Sequence, residues 1–143
     1  MTKAHETANP KTFHFPIRVY YEDTDAGGVV YHPNYLNFAL RARIEFEREH
    51  GYTEKDIIEK LNVLLVVRHV EIDYRAPSRL DDLLDVSVEI VNIGNTSITI
   101  RQEISRDGQV LAEVNIVLVA VSIQGKAVRI PPQLRQILGW QAE

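Results

Sequence analysis

The sequence predicts an α+β fold in which an antiparallel sheet of about five strands wraps around one long central helix. Three observations carry this expectation. Only one long stretch, Tyr35, Phe38, Ala39, Ala42 and Phe46, repeats apolar residues at the three-to-four spacing of a helix with a single buried face. Beyond it, runs rich in β-branched residues succeed one another with Gly94-Asn95 and Asp107-Gly108 between them, connections of the hairpin kind. One strand precedes the helix and about four follow it, so helix and sheet are segregated rather than alternating.

Taken in order, Phe13 to Tyr21 alternates aromatic and β-branched residues and reads as a first strand ending at the acidic turn Glu22-Asp23-Thr24-Asp25. Ala26-Gly27-Gly28 must then be loop. Pro33 suits the first turn of the long helix, where a missing N–H costs nothing, and Gly51 is placed to end it. Few polar positions occur on the first two turns, so the sheet is expected to wrap this helix. A shorter helix is expected over Glu54 to Leu61, and a strand over Leu64 to Tyr74. Pro77-Ser78 and Asp81-Asp82 mark a turn, after which Leu84 to Ile93, Ser97 to Ser105 and Val110 to Ile123 form a meander. A short helix led by Pro131-Pro132 closes the chain. Residues 1–12 are polar and read as a mobile tail, leaving one domain over 13–143.

Composition narrows the function. The 143 residues, 45% hydrophobic and 25% charged, suit one globular core that needs no metal or disulfide to fold. A net charge of -4 argues against a protein whose task is to neutralise a phosphate backbone, so no nucleic-acid partner is expected. The absence of cysteine rules out a disulfide, a thiolate nucleophile and a cysteine zinc site. The five histidines show no paired spacing, and Asp23-Thr24-Asp25 lacks the later oxygen ligands of a calcium loop, so neither metal nor cofactor is expected. No apolar run approaches the roughly 20 residues needed to cross a bilayer, and nothing resembles a secretory signal. A soluble, cytoplasmic protein is expected.

The chemistry concentrates in Tyr20-Tyr21-Glu22-Asp23-Thr24-Asp25-Ala26-Gly27-Gly28-Val29-Val30-Tyr31-His32-Pro33-Asn34-Tyr35. Two glycines beside two aspartates permit a tight loop and a ligand's close approach to backbone. The chain then enters a helix whose first N–H groups lack internal partners. Unpaired N–H groups near His32 and Asn34, with the positive end of the helix dipole, would stabilise the oxyanion formed when a thioester carbonyl is attacked. The candidate attacking groups are Glu22, Asp23, Asp25, His32 and the tyrosines. An aspartate is ionised at neutral pH and can activate water or attack directly.

The same run strongly resembles the active-site motif of the 4-hydroxybenzoyl-CoA thioesterase family, in its YbgC-type branch of acyl-CoA thioesterases. Similarity extends through Arg41-Ala42-Arg43-Ile44-Glu45, Val66-Val67-Arg68 and Tyr74-Arg75-Ala76-Pro77-Ser78-Arg79-Leu80-Asp81-Asp82, with Ser78 where alanine is common. The resemblance implies the hotdog fold and hydrolysis of an acyl-CoA without metal or cofactor. It implies Asp25 as catalytic carboxylate, Tyr21 and His32 as its partners, and the His32 N–H as the group that polarises the carbonyl. Gly28, Tyr31, Asn34 and Arg79 are the expected substrate contacts, with Arg75 and Arg101 as weaker candidates for the CoA phosphates. It further implies a homo-oligomer, dimer or tetramer, paired edge to edge, and makes an acyl carrier protein a plausible partner.

Plainer readings stand beside these. Glu22 and Asp23 suit a capping or salt-bridging role in a turn. Glu45 suits an ion pair with Arg41 or Arg48. Two alternative functions remain open to the sequence: a hotdog enoyl-thioester hydratase or dehydratase using His32 with Glu45 or Glu47, and a non-catalytic acyl-binding scaffold docking on acyl carrier protein.

Overall fold

The computed structural model describes residues 12–139; the tail expected over 1–12 lies almost wholly outside them. The core of the fold is one sheet and the helix it holds. Strand β1 (Phe13–Arg18) is followed by a 3-10 turn at Tyr21–Asp23 and by helix α1 (Asn34–Glu49). Helix α2 (Glu54–Leu61), strands β2 (Leu64–Tyr74), β3 (Leu83–Ile93), β4 (Ser97–Arg106) and β5 (Gln109–Val121), and helix α3 (Pro132–Ile137) complete it. All pairings are antiparallel, in the order β1-β3-β4-β5-β2. This is the hotdog arrangement.

The meander expected from the two glycine turns is β3-β4-β5. Local signals do not show that β2 crosses over to pair with β5, or that β1 closes the other edge on β3. The eight residues between Tyr74 and Leu83 contain Pro77 and are too long for a tight hairpin. They cross the sheet end instead, tied to β5 by the N–H groups of Arg75 and Ala76 on the Leu111 carbonyl.

Paired residues share a face, and one face carries the core. Val86, Val88, Ile98, Ile100, Ile104, Val114, Ile116 and Leu118 are buried against Tyr35, Phe38, Ala39, Ala42 and Phe46 of α1, the helical face anticipated from periodicity. The two fully buried alanines let the helix lie close to the sheet. Phe13 of β1 adds an edge-on contact to Phe46, ring centroids 5.7 Å apart.

Two strands end sooner than expected. β1 stops at Arg18 rather than Tyr21 because the Tyr20 N–H turns away to Asp23 Oδ2 (2.8 Å) and starts the 3-10 turn. β5 stops at Val121 rather than Ile123 because Ser122 pairs with Lys126 across a turn that doubles the chain back.

Candidate active site

The site loop is shaped by its own backbone. The Asp25 N–H donates to the Val29 carbonyl and the Gly28 N–H to the Asp25 carbonyl, closing a small hairpin. Gly28 sits at φ +83, a conformation that glycine adopts without a Cβ penalty. The returning limb is pinned to the segment before β3: Val29 bridges to Arg79, and the Val30 N–H donates to the Ser78 carbonyl. The carboxylate of Asp25 is exposed, and its Oδ1 accepts the Gly27 N–H at 2.8 Å.

Asp23 locks this loop to the helix. It is buried, with Oδ2 accepting the Tyr20 N–H and Oδ1 accepting Asn34 Nδ2 at 2.7 Å. Its carbonyl accepts the Tyr31 N–H. The capping role expected of this residue is therefore its role, though as an interior anchor rather than a solvated turn residue. Asn34 is committed to the same work: its Oδ1 accepts from Asn37, and its N–H donates to the Tyr31 carbonyl. The unpaired N–H expected at Asn34 is thus occupied.

At His32 the outcome differs. Among the described residues, nothing accepts its N–H. Its carbonyl accepts the phenol of Tyr74 at 2.9 Å and the Tyr35 N–H at 3.3 Å. The exposed imidazole stands edge-on between Tyr31 and Tyr74, at 5.4 and 5.9 Å. His32 and Tyr74 open onto a cavity of about 320 Å³ lined also by Val30, Tyr35, Arg75, Ala76 and Pro77. Behind it the Tyr35 hydroxyl meets Ser78 Oγ at 2.6 Å, both residues buried.

The structure gathers His32 and Tyr35 at one cavity, with Tyr31 edge-on to His32, and sets Asp25 and Gly28 on the adjoining loop. Tyr21 lies 82% exposed on the preceding turn, its phenol in no hydrogen bond with a described residue. Of the four tyrosines around the motif, only Tyr35 is buried within the chain. Glu45 pairs with Arg48 at 3.7 Å, as expected.

The arginines divide. Arg75 is held by Asp73 and Glu113, at 3.0 and 2.7 Å, and Arg101 by Glu103 and Glu113, at 2.7 and 3.2 Å. Arg79 forms no such ion pair among the described residues and sits beside the glycine loop through its bridge to Val29. Tyr74 was missed by sequence reasoning, since a tyrosine closing a strand carries no local sign of the carbonyl it meets. Asp23 did carry one: it stands three residues after the N–H it caps.

Residues 19–138 match the model of the thioesterase-like superfamily. An Escherichia coli protein named acyl-CoA thioester hydrolase YbgC is 42% identical over 114 residues, covering 79% of this chain and 84% of its own. Acyl-CoA thioesterase YbgC of Haemophilus influenzae is 39% identical, covering 86% and 91%. A probable thioesterase from Bartonella henselae superposes with a TM-score of 0.81 at 32% identity, covering 84% of this chain and 99% of its own. With residues 19–138 matched to that model and these relatives covered over most of their length, this chain belongs to the thioesterase-like superfamily.

Proposed function

We propose that this protein hydrolyses acyl-CoA thioesters to a free acid and CoA. The observation that carries the reading is the unpaired N–H of His32, at the mouth of the cavity where the buried helix begins, on the same pinned loop as the Asp25 carboxylate. That N–H and the positive helix end stabilise the oxygen anion formed as the carbonyl carbon becomes tetrahedral. Asp25 either takes a proton from the attacking water or attacks the carbon itself, forming an anhydride that water then opens. The C–S bond breaks, and the sulfur leaves as the CoA thiolate and is protonated.

His32 orients the thioester or water through its exposed ring, with Tyr31 beside it, and Tyr21 overhangs the approach. Gly28 lets the thioester come close to backbone. Arg79, on the strand bridge to that loop, meets the CoA phosphates. β2 has a neighbour on one side only and exposes Val66, Val67 and Val70, which supports edge-to-edge pairing with a second copy as the oligomer-forming contact. Among the described residues, no helix is long and apolar enough to cross a membrane. A cytoplasmic location and an acyl carrier protein partner belong to this proposal as its outer reach.

The test is thiol release from a panel of acyl-CoAs by wild type and Asp25→Asn. Wild type should release CoA, and the variant should lose about 10²-fold or more in kcat while melting at the same temperature. Unchanged turnover by Asp25→Asn would remove the assigned carboxylate, and hydration of a crotonyl thioester without thiol release would favour a hydratase.

A further inference from the structure

Beyond the cavity at His32, a second groove of about 210 Å³ runs between α1 and the inner face of β2 and β5. Its walls are Leu36 and Leu40, one turn apart on the helix, facing Val67, Val70 and Ile116. Both cavities lie along the same two elements: Tyr74 of β2 packs against His32 and Tyr35 at the first, while Val70 and Val67 of that strand face Leu36 and Leu40 of α1 at the second. One charged residue lines the groove, Arg43.

Arg43 is a costly residue to place there. It is only 9% exposed, yet no carboxylate forms an ion pair with it among the described residues. Its one hydrogen bond to a described residue runs from Nη1 to Gln102 Oε1 (2.9 Å), and Gln102 is itself fixed by donating to the Ala39 carbonyl. The guanidinium is thus held in one orientation with further N–H donors to spare. Glu47, one turn on, does not neutralise it. Burial and the neighbouring Glu54 carboxyl raise the Glu47 carboxyl to about 9 against the opposite pull of Arg43, so Glu47 is uncharged at neutral pH. The Glu54 carboxylate adds a favourable field at Arg43 without forming an ion pair with it, so the buried guanidinium has no anion bonded to it, a costly arrangement unless one arrives to meet it.

Resting on acyl-thioester binding at His32, we propose that the α1–β2 groove receives acyl chains bearing a terminal carboxylate, which Arg43 binds. From Asn34 to Arg43 the helix rises about 13 Å. A long helical side chain leans back toward the helix N-terminus, which leaves room for roughly six to eight carbons. The apolar walls take the methylenes, and the guanidinium fork takes both carboxylate oxygens.

The test separates binding from turnover. Wild type is titrated calorimetrically with two non-hydrolysable thioethers, S-(5-carboxypentyl)-CoA and S-hexyl-CoA, and thiol release is followed on adipoyl-CoA and hexanoyl-CoA. The carboxylated thioether should bind at least tenfold more tightly, and adipoyl-CoA should show the larger kcat/KM through a lower KM. Arg43→Met should abolish the preference while S-hexyl-CoA binding persists. Arg43→Met with Gln102→Leu, which removes both polar partners, serves if the single variant melts early. Equal or weaker binding of the carboxylated thioether by wild type overturns the inference, as does a preference that survives loss of Arg43. If the binding preference is present but no acyl-CoA is hydrolysed, the hydrolase reading fails and this inference stands.

Discussion

The Tyr74 hydroxyl donates to the His32 carbonyl at 2.9 Å across 42 residues of sequence, joining the end of β2 to the start of the central helix. Burial holds that phenol above its ordinary pKa, with a smaller contribution from Tyr35, so it remains a donor through the neutral range. The bond steadies the residue whose N–H faces the cavity. Tyr74→Phe should therefore lower kcat by roughly threefold to tenfold, the value of one neutral hydrogen bond, with KM nearly unchanged. Steady-state thiol release checks it, and an effect confined to KM would assign Tyr74 to substrate contact instead.

The glycine loop offers a finer probe of Asp25. A Cβ on Gly27 would lie 3.2 Å from Asp25 Oδ1, whereas Gly28 has open space but needs φ +83. Gly27→Ala should displace the carboxylate and lower kcat about tenfold with little change in melting temperature. Gly28→Ala should instead cost about 1–2 kcal/mol of stability through backbone strain. Paired kinetics and thermal melts of the two variants separate these effects.

Asp23 is the anchor of the site rather than a participant. Replacing it with alanine leaves the Tyr20 N–H and the Asn34 amide without their acceptor in a partly buried place. A loss of about 2–4 kcal/mol in urea-denaturation stability is expected, with activity falling alongside as the loop loses its grip on the helix.

Glu47 sets a pH dependence. Its carboxyl is held at about 9 in the folded chain against an ordinary 4.5. The native state keeps a proton that the unfolded chain releases, so stability is fully present below pH 4.5 and declines as pH rises toward 9. Glu47→Gln removes that titration. Calorimetric melts should find the variant gaining on wild type steadily between pH 5 and pH 9, each kcal/mol moving Tm by roughly 3–4 °C. Parallel curves across that range would contradict it.

Much of this molecule was legible as sequence because the relevant physics is local. A period of three to four residues marks α1, and a glycine beside Asn or Asp marks each hairpin of the meander, so neither depends on distant chain. The loop motif likewise announced Asp25 and His32, because a carboxylate, two glycines and a helix start lie within a dozen residues.

What tertiary structure decided are relationships between residues far apart in the chain. That β2 flanks β5 follows from a crossover that no turn residue encodes. In sequence Arg75 reads as a solvated surface arginine or a candidate phosphate contact, until Glu113, 38 residues away, is found beside it. The burial of Asp23 and of Arg43 depends on which surfaces close over them. Periodicity reports which side of an element is apolar, whereas the identity of the neighbour across a gap is set by how the whole sheet folds around the helix.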